Sequence, residues 1–485
     1  MKKNRYISVC ILIIILVFGN ACEEFLDLSP NGALSTANFY KTDADAETAI
    51  NAAYTILLDF WVSNIAFEKD IISDDAVKGH GIDLAALTSM DNLDFNASEG
   101  AIASLWGIYF RGVMYCNLVL DYVPEISMNP QQRDRILGEA HFLRAYYYYN
   151  LAIRFGGLPL VSTTLNAEKH PTRSSIADTW GFIENDLVAA AGLLPYKSQL
   201  RNIDVGRADK GAALSLLGIV HLWQERWTDA FNAFSQVVNS GEYSLQSNFG
   251  DLFKPEYDNG VEVVFETQAK GGEDFAHSNG FNFWVRPRNG STIFGLGFCM
   301  PTQNLVDAFE DGDPRLRYTV IRHGDIISEE VKDIPFDAAW APETGMNCGK
   351  YVVGVPVGHL AERHEQNQKN IRYAEVLLGY AEAAFRTGNI QEATSKINLV
   401  RARARNGQGG ILPDVQATDD IFAAIVHERR VELALEGKRY FDLVRWGLAE
   451  QVLGPLGYQP ARQGLYPIPQ TELDVNPNLV QNPGY

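Results

Sequence analysis

Apolar residues recur at helical spacing over most of the chain. Residues 43–58 (DADAETAINAAYTILL) open with acids in the first turn and continue with apolar positions at helical spacing, as a capped amphipathic helix does. Residues 101–123, 133–155, 174–194 and 418–451 behave likewise, the last with a break expected near Gly437. From Tyr243 to Tyr351 the character changes. Glycines, aromatics and short β-prone runs such as VEVVFET replace the long helical patterns, and turn signals occur throughout. The pattern predicts a mainly α fold: a rigid helical frame carrying a loop-rich insertion with short β-hairpins. Binding residues concentrate on such loops.

Two segments share a finer repeat. Trp227, Ala230, Phe234 and Val237 stand at relative positions 0, 3, 7 and 10, and Ile390, Ala393, Ile397 and Val400 reproduce that spacing. Each follows a first helix, carrying Leu217 and Gly218 in one case and Tyr380 and Ala381 in the other. This is the tetratricopeptide layout, in which a small residue lets two antiparallel helices approach and an apolar knob fills the groove between them. Two units cannot bury their faces alone, so further helix pairs must complete the stack; residues 101–123 and 133–155 are the candidates.

The N-terminus changes the picture from a soluble protein to an exported one. Lys2, Lys3 and Arg5 precede an unbroken apolar stretch over residues 9–18, and Gly19 and Ala21 lead to Cys22. That is the layout of a secretory signal, too short to span a bilayer. A small residue directly before a cysteine resembles a bacterial lipobox, with Gly19 where that motif carries Leu. In this reading residues 1–21 are a lipoprotein signal peptide and Cys22 is the acylated first residue of the mature chain, held at a membrane by several acyl chains. Net charge falls from −19 to −22 once the three basic residues leave. With no long run of Lys and Arg, nothing would neutralise phosphates, and nucleic acid is excluded as a partner. Acidic Glu23, Glu24 and Asp27 follow the lipid cysteine. Cys116, Cys299 and Cys348 are too few and too dispersed for a disulfide framework or a zinc site.

Both ends of the chain then become specific. The run IVHERRVELALEGKRYFDLVRWG and the closing LYPIPQTELDVNPNLVQNPGY resemble the SusD/RagB family, and CEEFLDLSPNG, LWGIYFRGVMYCNLVLDYV, GEAHFLRAYYYYNLAIRFGGLPLV and RYAEVLLGYAEAAF agree with it. The resemblance implies a single SusD-like domain over residues 22–485: an N-terminal region to about 240, a variable segment over about 243–357, and a C-terminal region over about 358–485. It implies attachment to the outer membrane as a lipoprotein facing the exterior. It also implies a SusC-like TonB-dependent transporter as partner, over whose mouth the protein forms a hinged lid that captures nutrient, commonly glycan. Peptide capture, as in RagB-like proteins, and a tetratricopeptide scaffold for a protein partner are the alternatives. In physical terms the motifs are structural. Glu428, Arg429, Arg430 and Glu432 set opposite charges at helical spacing, Asp442, Arg445 and Trp446 lock the last helix to its neighbour, and Pro467 and Pro469 stiffen an extended tail.

Catalysis has no comparable support. There is no P-loop, nucleophile elbow or HExxH motif; His359 and His364 stand five apart in HLAERHEQ, a spacing that does not share a helix face. DGDPRL over residues 311–316 lacks the later ligands of a calcium loop and reads as a capped turn. The expectation is a binding protein without cofactor or metal. Sugar receptors present aromatic rings to C–H faces, with Arg and carboxylate partners around them. The run FNFWVRPRNGSTIF supplies Phe281, Phe283, Trp284, Arg286, Arg288 and Phe294. As a strand it would set Phe281 and Phe283 on one face and Trp284 and Arg286 on the other. Trp340 in DAAWAPETG is a second platform, and Phe67 with Asp74 and Asp75 a third, the latter because resembling proteins draw ligand contacts from early and middle loops. Core packing is the competing reading for every aromatic among them.

Overall fold

The computed structural model describes residues 39–271, 278–289, 295–355 and 365–485. The signal peptide, Cys22, the acids after it, Phe294, His359 and His364 lie outside the described residues.

Ten helices of seven residues or more form the frame among the described residues: α1 (Asp43–Thr55), α2 (Gly100–Tyr122), α3 (Pro130–Phe155), α4 (Ile176–Leu193), α5 (Lys210–Trp223), α6 (Trp227–Ser240), α7 (Tyr373–Arg386), α8 (Ile390–Arg405), α9 (Ile421–Leu433) and α10 (Arg439–Arg445). Their starts are set by side chains that satisfy the free N–H groups of a first turn. Thr42 and Asp45 form a reciprocal capping box at α1. Asn129, followed by Pro130, caps α3; Ser175 caps α4, Asp209 caps α5 and Asp420 caps α9. The break expected near Gly437 separates α9 from α10, with Gly437 at φ 70. No helix among the described residues is long and apolar enough to cross a membrane.

The helices stack in sequence, α2 on α3, α3 on α4, α4 on α5, α5 on α6, α6 on α7 and α7 on α8. The repeat positions sit in the seams: Ala230, Phe234, Val237, Ala393, Ile397 and Val400 are buried, and Trp227 and Ile390 half-buried. Phe234 of α6 faces both neighbours. A Cβ at Gly218 of α5 would lie 2.6 Å from its ring and one at Gly379 of α7 2.8 Å away, so only glycine admits this approach at either position. One continuous hydrophobic core runs from α1 to the C-terminal tail.

The six strands among the described residues are short: β1 (Ala76–Val77), β2 (Val263–Thr267), β3 (Met300–Pro301), β4 (Val320–Ile321), β5 (Asn347–Cys348) and β6 (Gln368–Arg372). All pairs are antiparallel, β1 with β3, β2 with β6 and β4 with β5. Their partners are far apart in sequence, so they are not local hairpins. β1–β3 and β2–β6 stitch the loop-rich segment to the frame on both flanks. Beneath α9 that seam is ionic. Arg315 reaches Glu428 at 2.5 Å and Glu432 at 3.0 Å, Arg372 reaches Glu432 at 2.6 Å and Glu262 at 2.8 Å, and Arg403 binds both Glu262 and Glu432. Burial alone would raise the Glu432 carboxyl, but Arg403, Arg372 and Arg315 outweigh it and hold it well below the usual carboxylate range.

Candidate functional site

The aromatic surface is built where the turn after α1 meets the loop-rich segment. Phe281–Val285 is a short helix and not the expected strand. Asn279 explains the difference: its side-chain oxygen accepts the Phe281 N–H at 2.8 Å, and Asn64 accepts the Gly280 N–H at 3.1 Å, which anchors the start of a turn. The returning chain then closes the other side. Leu296 N–H donates to the Phe283 carbonyl at 2.9 Å, Gly297 to Arg286 at 2.8 Å and Phe298 to Trp284 at 3.0 Å.

This turn divides the aromatics differently from a strand. Phe281 points inward, 5.3 Å from the ring of Tyr351 and 6.4 Å from that of Phe67. Phe281 and Phe67 are both core residues, at 3% and 0% exposure, which corrects their assignment as ligand contacts. Arg286 is likewise fully buried, and burial pushes its guanidinium down to about 10. Phe283 and Trp284 remain half-buried at the surface. From there a ladder of rings runs inward: Phe60 meets Trp284 edge-on at 5.4 Å, Trp284 stacks on Phe298 at 5.8 Å, and Phe298 stacks on Phe67 at 6.0 Å. The core end fixes the position of the rings at the surface end.

Asp74 and Asp75 also leave the ligand set. Arg439 grips Asp74 at 2.9 and 3.0 Å, and Arg430 binds both acids at 2.9 Å. For Asp74, burial would raise the carboxyl, but Arg439 and Arg430 overcome it; for Asp75, burial wins and the carboxyl is raised. The two acids tie β1 to α9 and α10. The polar groups that do border the aromatic surface come from residues 79–84 and from Arg288. Arg288 bonds Asp83 at 2.6 Å and lies 5.6 Å from the Phe298 ring centre, while His80 meets Phe298 edge-on at 5.9 Å. His80 and Leu84 both adopt left-handed backbone, at φ 54 and 52, a strained choice for these side chains.

Trp340 enters through a second tether. Its loop is capped by Asp337 and it packs edge-on against Phe336 at 5.6 Å, half-buried. Glu343 from the same loop accepts the Gly81 N–H at 3.0 Å, joining it to the strained loop. Sequence reasoning missed Phe60, Trp61, His80, Asp83 and Glu343. The adjacent rings Phe60 and Trp61, next to Asp59 shortly after α1, were a readable signal; Phe60 is 39% exposed.

Comparison with known proteins agrees with this architecture. A sequence model described as SusD family matches residues 261–485, and one described as "Starch-binding associating with outer membrane" matches residues 24–222. SusD-like protein P38 of Formosa agariphila is 26% identical, with 100% of each chain covered. Starch-binding protein SusD of Bacteroides thetaiotaomicron is 27% identical, with 76% of each covered. The solved structure of a laminarin binding SusD-like protein superposes with a TM-score of 0.78 at 27% identity, covering 92% of this chain and 100% of that one. With two family models matching its two halves and a SusD-like structure superposing on its fold, the chain belongs to the SusD/RagB family.

Proposed function

We propose that the protein captures oligosaccharide at the outer face of the outer membrane on the surface formed by Phe60, Phe283 and Trp284, with Trp340 on the loop tethered to it through Glu343, and passes it uncleaved to a SusC-like TonB-dependent transporter. The observation that carries this reading is the ring ladder, which holds half-exposed aromatics rigid from the core outward and borders them with Arg288 and Asp83. Rings offer flat apolar faces to sugar C–H groups, while the charged rim binds hydroxyls. The binding of starch and of laminarin for which these relatives are named supports a glucan class of ligand. Acylation at Cys22 supplies the membrane attachment in this reading, and the outer-membrane family match over residues 24–222 supports the location.

The test is affinity for laminarin and starch oligosaccharides before and after Trp284→Ala with Trp340→Ala. Loss of two stacking rings should weaken binding by about tenfold or more, with an unchanged thermal melt. Wild-type affinity in the double variant would remove both residues. Intact protein mass should show a lipidated Cys22 at the mature N-terminus, and incubation with oligosaccharide should release no cleavage product.

A further inference from the structure

The loop-rich segment holds two of the three cysteines among the described residues, and the fold brings these two together. Cys299 stands immediately before β3, and Cys348 ends β5. The two strands lie side by side: the α-carbons of Met300 and Pro301 are each within 8 Å of those of Asn347 and Cys348. A disulfide spans α-carbons about 4.4–6.8 Å apart, a spacing that strands this close can supply. Both cysteines are buried, at 1% and 0% exposure, and both are free thiols in this structure. Cys116 stands apart in α2, with Arg144 and Asp186 as its charged neighbours. Three dispersed cysteines make no disulfide framework, but two adjacent ones make a pair.

The backbone at this point is held in an uncommon form. Cys299 has φ 59, left-handed and unfavourable for a residue with a Cβ, and its N–H donates to the Lys78 carbonyl at 3.2 Å. The Cys348 thiol donates to the Lys350 carbonyl at 3.6 Å. Hydrogen bonding with the Cys348 thiol, then burial, raise the Cys299 thiol well above its ordinary value, and Asp70 and Asp75 add to the effect. A thiol so raised and buried is inert in the folded protein, so exchange chemistry belongs to the stage before the segment closes. We propose that Cys299 and Cys348 are a modification site, oxidised to a disulfide as the exported chain folds.

The step balances against a disulfide oxidant, the class of reagent that oxidising export compartments hold. The thiolate of one cysteine attacks the oxidant's disulfide to give a mixed disulfide, and the thiolate of the other then displaces the oxidant. One S–S bond forms in the protein and one breaks in the oxidant, two electrons pass to the oxidant, and its two sulfurs take up the two protons that the cysteines lose. The inference rests on the proposed export for that oxidant alone. Its consequence falls on the aromatic surface. Phe298, on which Trp284 stacks, directly precedes Cys299, and the loop carrying Trp340 runs on into β5 and Cys348. The cross-link ties both platforms to one covalent point, which lowers the cost of ordering them around a ligand.

The test is to unfold and reduce the full protein, refold it in glutathione buffer at oxidising and at reducing poise, alkylate it, and map its peptides by mass without reduction. Oxidising poise should yield one peptide pair joining Cys299 to Cys348, lighter by two hydrogens, with Cys116 alkylated; reducing poise should leave all three alkylated. The reduced form should also melt a few degrees lower, because its unfolded chain lacks the loop constraint. Alkylation of Cys299 and Cys348 at oxidising poise, or a bridge from either of them to Cys116, overturns the proposal. Should the reduced protein not refold, the same mapping of protein taken directly from its host decides: a bridge between Cys299 and Cys348 supports the proposal, and free thiols at both overturn it. Fractionation of the same cells reports export separately, and glucan affinity reports on the sugar surface, so failure of either reading is told apart from failure of this one.

Discussion

Between α5, α6 and α7 the contact is one phenyl ring against two glycines; beneath α9 it is three guanidinium groups among three glutamates. The first seam is apolar: α5 and α6 are joined by a short turn, and α7 comes in from beyond the loop-rich segment to complete it. The second is ionic and brings together residues 262, 315, 372, 403, 428 and 432 from five separate segments. Apolar packing tolerates a change of shape at modest cost, because the neighbours shift and refill part of the space. A buried ion cluster does not, since removing one member strands the charges of the others. The loop-rich segment, with little helix of its own, is thus fastened to the frame by the less forgiving chemistry.

Arg372→Met tests that difference most severely. It leaves Glu262, Glu432 and Glu436 short of a cation and should cost about 3–5 kcal/mol in denaturant unfolding. Phe234→Leu, which keeps an apolar side chain between Gly218 and Gly379, should cost less, about 1–2 kcal/mol by the same measurement. The reverse ranking would mean that the apolar seam holds the molecule together.

Acid sharpens the contrast. Glu432 and Glu436 have carboxyl groups held below their ordinary values by Arg403, Arg372 and Lys350 against the opposing effect of burial. A lowered carboxyl stabilises the fold above the unfolded value, and that contribution is lost as pH falls toward the folded one. The penalty of Arg372→Met should therefore shrink below pH of about 4, while that of Phe234→Leu stays flat. Parallel pH curves for the two variants would contradict the assignment. The smallest effect is expected at the rim of the aromatic surface. Arg288→Ala breaks an exposed pair with Asp83 and should move stability by less than about 1 kcal/mol.

The same contrast explains what was readable in advance. Helical periodicity located the long helices within a few residues, and the 0, 3, 7, 10 spacing identified the knobs that fill the seams, because both depend on neighbours along one helix. Asp442, Arg445 and Trp446 do lock the last helix to its neighbours, as expected, but their partners, Arg429 for Asp442 and Glu382 for Arg445 and Trp446, are supplied by the tertiary structure. The candidate site was less legible. Trp284 and Phe283 lie at the surface, but Phe281, Phe67, Arg286, Asp74 and Asp75 do not, and Phe60 was overlooked.

The reason is range. Whether residues 281–285 coil or extend depends on Asn279, on Asn64 from the turn after α1 and on the chain returning at 296–298, none of which alternation can reveal. Asp74 looks like a free carboxylate until Arg439, 365 positions later, is placed beside it. Helix, cap and knob are written in near neighbours, so linear order suffices for them. Exposure, charge pairing and the direction an aromatic ring faces are properties of remote segments in contact, and they come into being only when the chain has folded.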